Sequence, residues 1–288
     1  MKLLEVIKGK ETSAEVIDSC MDLAKRIGKI PVLAGNCYGF IGNRMLDPYC
    51  REAHYCIEEG INNHQTNYYT HFYSNYIGAT PLQIDTVLKR DVGLAMGVFE
   101  MLDLAGNDIG YRQRKDFIDK GIDNGLHSKL ADKLCDAGFY GQKTGKGWYL
   151  YDPKNPRVPL CHNATETLIE KHRNEVNVTS RNISDAEIIE RTLYSLVNEG
   201  MKILEEGIAE KPEDIDVIYV YGYGFPKYRG GPMWWAEREV GLVKVLTSIK
   251  KYHEKYPDKK WWKPSKLLED IVASGSTIRE ELYFRKKG

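Results

Sequence analysis

The chain has 288 residues, which suggests about two domains at roughly 150 residues each. Its 42% hydrophobic content is ordinary for a globular protein, and 41 basic residues balance 41 acidic ones, which does not favour a nucleic-acid or anionic-membrane partner. The sequence contains no apolar run long enough for a membrane span. The six cysteines show neither CxxC nor metal-ligand spacing, so we expect reduced thiols in an intracellular protein and no metal site.

The first 34 residues predict a β-α-β unit. The run LLEVI (3–7) is typical of a short strand, and IPVLA (30–34) is typical of a second one. Between them, Thr12-x-x-Glu15 predicts a capping box that opens a helix. Two strands make a sheet that is only marginally stable in water, so the unit either extends another sheet or is the end of a domain.

The stretch GNCYGFIGNRML (35–46) contains three glycines just before a helical pattern. Their spacing, G-x3-G-x2-G, matches neither GxGxxG nor GxxxxGK[ST], which favours a bend over a phosphate-binding loop. The bend would deliver Asn43, whose amide can donate to a carbonyl oxygen and accept from a hydroxyl. The alternative is that Asn43 only caps the helix, as asparagine often does.

A helical pattern that starts at residue 41 recurs later in the chain at a fixed offset of 147 positions. Matching residues are Arg44 and Arg191, Leu46 and Leu193, Glu52 and Glu199, Ile57 and Leu204, and the EEG triplets 58–60 and 205–207. After a change in length, IDTVLKRDVG (84–93) matches IDVIYVYGYG (215–224), and 97–99 matches 231–233. These matches predict a duplicated helical unit.

The two copies act as an internal control, because residues kept in both most simply maintain packing and turns. At the same offset, Asn43 corresponds to Glu190, which marks Asn43 as a candidate for function. Ser184-x-x-Glu187 predicts a capping box that opens the second copy. The first copy carries an extra segment, 61–79, rich in Asn and Tyr, which we interpret as a surface excursion or, alternatively, as a binding segment.

The stretch GQKTGKGWYLYD (141–152) allows two interpretations. The first is a turn followed by aromatic residues that enter the core. The second is that Lys143 reaches an anionic cofactor or a CoA phosphate, because an ammonium group pairs well with phosphate.

These motifs together resemble the L-3-hydroxyacyl-CoA dehydrogenase family, and within it the multifunctional enzymes of peroxisomal β-oxidation. The resemblance rests on MKLLEVI, GNCYGFIGNRML, the EEG and ID segments, GQKTGKGWY and YGYGFPKYRGGPM, and it covers most of the chain. It implies a mainly α fold, with a tandem pair of the family's C-terminal-type helical domains preceded by a β-α-β remnant of a Rossmann domain. It also implies a part in the NAD-dependent oxidation of 3-hydroxyacyl-CoA to 3-ketoacyl-CoA.

The resemblance implies the following domains: residues 1–34 as the end of the NAD-binding domain, 35–152 as the first helical domain, 153–182 as a linker, and 183–288 as the second helical domain. It further implies an acyl-CoA substrate, no nucleic-acid partner, and a monomer whose two copies pair like the subunits of a dimer. Peroxisomal location follows from the resemblance, although the final residues RKKG do not match an SKL-type signal; otherwise the chain would be cytoplasmic.

Three residues match the family's functional positions. Glu5 matches the carboxylate that orients a catalytic histidine, Asn43 the asparagine at the reacting hydroxyl or thioester oxygen, and Lys143 a lysine beside the nicotinamide cofactor. Asp103 and Gly97 match scaffold positions, although Val98 stands where the family usually has proline.

The sequence lacks two features of the family pattern, the catalytic histidine and the dinucleotide-binding loop. None of its seven histidines occupies the family's catalytic position, which precedes that of Glu5, and the glycine-rich dinucleotide loop does not occur in it. Hydride transfer from an alcohol needs a base and a bound nicotinamide. We therefore expect NAD to serve the complete enzyme and the chain alone to be inactive; the alternative is a non-catalytic acyl-CoA-binding or association module.

Overall fold

The computed structural model describes residues 1–60, 79–122 and 125–287, and these are mainly helical. They form two compact units, the first made of Met1–Tyr49 and Glu190–Gly288 and the second of Cys50–Ile189. The expected mainly α fold is confirmed. The predicted extra segment 61–79 lies, apart from Ala79, outside the described residues. Among the residues that are described, no helix is both long and apolar enough to cross a membrane.

The first unit contains the β-α-β segment and the helices of the second copy. Its elements are β1 (Leu3–Lys8), α1 (Ala14–Arg26), β2 (Ile30–Gly35), the start of α2 (Gly42–Glu59), α9 (Ser195–Glu205), α10 (Pro212–Gly222), α11 (Pro232–Trp235), α12 (Leu242–Lys255), α13 (Lys266–Ser274) and α14 (Ile278–Lys287). Two π-helical turns, Glu190–Tyr194 and Ala236–Val240, precede α9 and follow α11.

The β-α-β prediction agrees with the structure in its elements and differs in its cap. β1 and β2 pair in parallel, with Leu3 opposite Ile30 and Glu5 opposite Val32. The predicted capping residue Thr12 was wrong by one position, because Ser13 Oγ accepts from Val16 N–H at 3.4 Å. The Thr12 hydroxyl instead accepts from the N–H of Gly9 at 3.0 Å. The threonine side chain thus closes the turn that leads into the helix.

The second unit is built around a buried carboxylate. Its elements are the rest of α2, α3 (Pro81–Val87) with a π-helical turn to Val92, α4 (Val98–Ala105), α5 (Asn107–Asp119), α6 (Leu130–Asp136), β3 (Leu150–Asp152), β4 (Asn155–Leu160), α7 (Asn163–Val176) and α8 (Asp185–Ile189). Asp103 accepts from the N–H groups of Trp148 and Tyr149, both at 3.0 Å, and from the Tyr151 hydroxyl at 3.0 Å. The aromatic run after Gly147 is therefore core, as the first interpretation of that stretch held.

The region between the copies is more ordered than a plain linker. It holds β4, which pairs antiparallel with β3, and the 14-residue helix α7. The Ser184 half of the predicted capping box is confirmed, since Glu187 N–H donates to Ser184 Oγ at 3.2 Å just before α8. The Glu187 carboxylate accepts from Arg181 at 2.8 Å. The domain boundaries at 34, 152 and 182 remain predictions.

The same aspartate–glycine contact is found in both units, at the matching positions of the repeat. In the second unit, Asp85 of α3 accepts from Phe99 N–H at 3.0 Å and Glu100 N–H at 2.9 Å, at the start of α4. A Cβ atom on Gly97 would lie 2.1 Å from the carboxyl carbon of Asp85. Only glycine therefore lets the carboxylate approach the first turn of the helix this closely.

In the first unit, Asp216 of α10 makes the corresponding contacts at the start of α11. It accepts from Met233 N–H at 2.8 Å and Trp234 N–H at 3.2 Å, and a Cβ on Gly231 would lie 2.4 Å from the Asp216 Cβ. Both copies thus cap a helix by the same device.

Candidate functional site

The glycine-rich turn between β2 and α2 is held by close backbone contacts. Gly35 N–H donates to the carbonyl oxygen of Ile208 at 2.8 Å, and a Cβ on Gly35 would lie 3.0 Å from the Ile208 side chain. Gly39 has a φ of +78°, and a Cβ there would lie 2.8 Å from Arg44 N. Each of these glycines has a packing or conformational reason within the chain, which agrees with the interpretation of the turn as a bend.

Glu5 lies on β1 and fixes the end of this turn. Its Oε1 accepts from the N–H groups of Ile41 at 3.1 Å and Gly42 at 3.3 Å, where α2 begins. A carboxylate at a helix N-terminus accepts from N–H groups that have no partner within the helix. Its negative charge also interacts favourably with the positive end of the helix dipole. Partial burial raises the pKa of Glu5, and the two N–H donors act in the opposite direction.

Asn43 follows directly on the residue that Glu5 holds, and its side chain is exposed. Its Oδ1 accepts from the Tyr223 hydroxyl at 2.8 Å. The preceding carbonyl oxygen, that of Gly42, accepts from the Tyr219 hydroxyl at 3.0 Å. Tyr219 on α10 and Tyr223 at its C-terminal cap thus bind the backbone and the side-chain amide at this position.

Arg44, the next residue, anchors the first turn of α2 to the second copy. Its guanidinium donates to Glu199 at 2.8 Å and forms a paired contact with Glu206 at 2.6 and 2.7 Å. Two parallel N–H to carboxylate bonds fix orientation as well as position. The pKa of Glu206 is lowered, chiefly by its hydrogen bonds from Arg44. Asn43 therefore sits between two anchored neighbours.

Lys143 lies in the second unit and is engaged by another residue. Its ammonium contacts the Asp108 carboxylate, and that hydrogen bond lowers the pKa of Asp108. The ammonium group also lies near Gly106, where a Cβ would be 2.8 Å from Nζ. The one residue predicted to bind a cofactor is thus paired within the protein.

The sequence analysis did not identify the tyrosines that contact the Asn43 segment. Tyr219 and Tyr223 are one helical turn apart, with stacked rings whose centroids lie 4.9 Å apart. That spacing was visible in the sequence, but Tyr223 lies 180 positions from Asn43. Nothing local to either segment indicated that they would meet.

The 3-hydroxyacyl-CoA dehydrogenase family models match most of the chain. The C-terminal domain of 3-hydroxyacyl-CoA dehydrogenase matches twice, over residues 71–151 and 188–282. The NAD binding domain of the same family matches residues 1–37. The double match confirms the predicted duplication of a helical unit.

Curated and solved relatives agree with the family match. The chain is 45% identical to the peroxisomal bifunctional enzyme of Danio rerio and 39% identical to that of Homo sapiens, over 96% and 98% of its own length. It spans only 37% and 38% of those two proteins. The dehydrogenase part of multifunctional enzyme 1 from C. elegans is 28% identical, with a TM-score of 0.66 over 94% of this chain and 56% of that one. The chain therefore belongs to the 3-hydroxyacyl-CoA dehydrogenase family.

Proposed function

We propose that this chain supplies substrate-binding and base-positioning residues to an NAD-dependent L-3-hydroxyacyl-CoA dehydrogenase of fatty-acid β-oxidation. The observation that carries the proposal is that Glu5 binds the residue directly before Asn43. Glu5 binds the backbone at Gly42, and Asn43 is the next residue, with an exposed amide. The reaction is the oxidation of a 3-hydroxyacyl-CoA to the 3-ketoacyl-CoA.

Asn43 binds the oxygen atom at the reacting carbon. Its Oδ1 is occupied by the Tyr223 hydroxyl, so Nδ2 is the end of the amide that can donate to a ligand. As a base removes the hydroxyl proton, negative charge develops on that oxygen. A fixed donor is worth most where such charge develops.

Glu5 positions the base. Its Oε1 is used by the α2 N-terminus, and in the described parts of the chain no hydrogen bond to Oε2 is found. Oε2 can therefore accept from the N–H of a histidine ring and hold the tautomer that takes up the substrate proton. The proposal requires that another segment of the complete enzyme supplies this histidine.

A second candidate function is a non-catalytic module that binds acyl-CoA or associates with a partner. Two observations favour it. Lys143 is paired with Asp108, and nowhere in residues 1–60, 79–122 or 125–287 does a histidine contact Glu5. The relatives extend well beyond the matched region, so the dehydrogenase reading requires that further segments complete the site.

The test is NADH formation from 3-hydroxybutyryl-CoA by the purified 288-residue chain. We expect none above background, because neither the base nor the dinucleotide loop is present in this sequence. Appreciable turnover that disappears in Asn43→Ala would contradict this expectation and make the chain an enzyme by itself.

A binding measurement separates the two readings of Asn43. Calorimetric titration with 3-ketobutyryl-CoA is compared between the chain and Asn43→Asp, which keeps an acceptor for Tyr223 and loses the donor. We expect about tenfold weaker binding, as for the loss of one hydrogen bond to a polar ligand. Equal binding by both proteins would contradict a role for Asn43 at the substrate oxygen.

Location and assembly are proposed with the function. The relatives named above as peroxisomal support a peroxisomal protein. The tandem copies support a monomer. One chain already contains two helical domains, which single-unit dehydrogenases would bring together as two subunits. Sedimentation analysis of the purified chain would show a single 33.0 kDa species if this is right.

A further inference from the structure

We propose that Tyr223, a residue of the second helical copy, is a positioning residue that decides which end of the Asn43 amide faces the substrate. The inference rests on the proposed function, in which Asn43 binds the reacting oxygen. It goes further by assigning the second copy a part in the site and by stating that this site offers a hydrogen-bond donor.

The first step is the contact itself. The Tyr223 hydroxyl lies 2.8 Å from Asn43 Oδ1, with the tyrosine as donor. An asparagine side chain has one acceptor end and one donor end, and they differ by a half-turn about the terminal bond. In the observed arrangement the hydroxyl donates to Oδ1, and the two N–H donors of Nδ2 are therefore directed elsewhere.

The second step is that Tyr223 cannot easily move away from Asn43. Its ring stacks on Tyr219, whose own hydroxyl binds the carbonyl oxygen of Gly42 at 3.0 Å. A Cβ on Gly42 would lie 2.5 Å from both the Tyr223 hydroxyl and its ring. Glycine at 42 thus leaves room for the tyrosine directly against the backbone that carries Asn43.

The third step is that this end of α10 is itself held close to β1. A Cβ on Gly222 would lie 2.5 Å from the Leu3 side chain, so α10 ends against the strand that carries Glu5. Tyr223, Asn43 and Glu5 are therefore parts of one packed arrangement within the first unit.

The consequence concerns ligand chemistry. With Oδ1 occupied, the amide recognises an oxygen that accepts, such as a ketone, a thioester carbonyl or a hydroxyl oxygen that is losing its proton. The site should therefore favour 3-ketoacyl-CoA over its 3-deoxy analogue, butyryl-CoA, and Tyr223 should be needed for that preference.

The experiment uses the 15N-labelled 288-residue chain and follows the side-chain NH2 signals of Asn43, which are assigned by their loss in Asn43→Asp. Tyr223→Phe removes only the hydroxyl. Tyr252→Phe is the matched control, because the Tyr252 hydroxyl binds Glu190 at 2.9 Å, the residue that occupies the position of Asn43 in the second copy.

We expect Tyr223→Phe to move the Asn43 NH2 signals and Tyr252→Phe to leave them in place. Titration with 3-ketobutyryl-CoA should shift the same signals in the unmodified chain, and the midpoint should rise about two- to tenfold in Tyr223→Phe. The preference over butyryl-CoA should fall by the same factor.

The outcomes separate the inference from the function on which it rests. If Tyr223→Phe leaves the NH2 signals unchanged, or both tyrosine variants change them equally, the positioning role is wrong, whatever the ligand does. If Tyr223→Phe moves the signals but 3-ketobutyryl-CoA never does, Tyr223 orients Asn43 and the proposed substrate is wrong. If the ligand binds both proteins with the same midpoint, the amide is oriented by other contacts and the inference is overturned.

Discussion

The two helical copies share a capping device and differ at the start of their first helices. In each copy an aspartate binds the first N–H groups of a later helix, across a glycine that leaves it room: Asp85 with Gly97, and Asp216 with Gly231. At the first helix, Asn43 of one copy is exposed and bound by Tyr223, whereas Glu190 of the other accepts from Tyr252 and lies 3.5 Å from Lys251 Nζ.

The difference separates the shared helix cap from the proposed site. A buried carboxylate at a helix N-terminus is needed wherever the same pair of helices packs, so both copies keep it. A side chain that both accepts from a tyrosine and donates to a ligand is needed only where a ligand binds. In the second copy the equivalent position holds a carboxylate, which cannot donate when ionised. The two copies therefore share a helix cap and differ in the side chain at the start of their first helices.

The largest effects should come from removing the shared caps. Asp85 accepts from two backbone N–H groups and from the Tyr149 hydroxyl at 2.9 Å, all of them buried or partly buried. Asp85→Ala should lower the free energy of unfolding by about 3 kcal/mol, since buried donors lose their partner. Asp216→Ala should cost about 2 kcal/mol, because in the described part of the chain only the backbone N–H groups of Met233 and Trp234 donate to Asp216.

Urea unfolding monitored by circular dichroism measures both costs. Asp119→Ala is the control, because Asp119 is an exposed helical aspartate, and we expect it to stay within about 0.5 kcal/mol. Equal costs for Asp85→Ala and Asp119→Ala would mean that the cap does not stabilise the second unit.

The next effect is a pH dependence that both caps should share. Burial raises the pKa of Asp85 and of Asp216 from 3.8 to about 7, against the opposing backbone N–H groups. Between pH 3.8 and about pH 7, each of these carboxyl groups keeps a proton in the folded chain that it has lost in the unfolded chain. The stability contributed by each group is therefore fully present below about pH 4 and is lost as the pH rises through 7.

An asparagine at either position does not titrate and so supplies the reference. The difference in unfolding free energy between the unmodified chain and Asp85→Asn, taken as the former minus the latter, should fall by roughly 2 kcal/mol between pH 5 and pH 8. Asp216→Asn should show the same sign. A difference that stays constant or grows over this range would show that the folded-state pKa is not raised.

The smallest effects should come from the positions at which the copies differ. Asn43→Ala should change the unfolding free energy by less than about 0.5 kcal/mol, because the side chain is exposed. Glu190→Gln keeps an acceptor for Tyr252 and loses only a partly exposed ion pair with Lys251, worth at most about 1 kcal/mol. Thermal unfolding of both variants tests this. A loss above about 2 kcal/mol in Asn43→Ala would make Asn43 a structural cap, the alternative that the sequence left open.

Much of the fold could be predicted from local patterns. Short stretches of sequence predicted the β-α-β segment, the repeat at a fixed offset and the Ser184 cap. They could do so because periodicity and capping depend on neighbouring residues. The cap of α1 was misplaced by one residue, since Thr12 and Ser13 are both good capping residues and only the chain path decides between them.

The candidate site could be predicted only in part. Asn43 was chosen from its contrast with Glu190 and from family resemblance, and Glu5 from the resemblance alone. The structure brings the two to one turn, but the resemblance did not indicate that Asp108 engages Lys143. A lysine in a glycine-rich turn has the same local sequence whether it meets a phosphate or a carboxylate. Its partner comes from a helix about 35 residues earlier, which spacing alone does not reveal.

The sequence by itself determined the β-α-β segment, the duplication and the position at which Asn43 of one copy corresponds to Glu190 of the other. The tertiary structure alone decided which way the amide at that position points. The reason is physical: orientation depends on a hydroxyl that reaches Asn43 from 180 positions away, and a contact of that range exists only after the helices have packed.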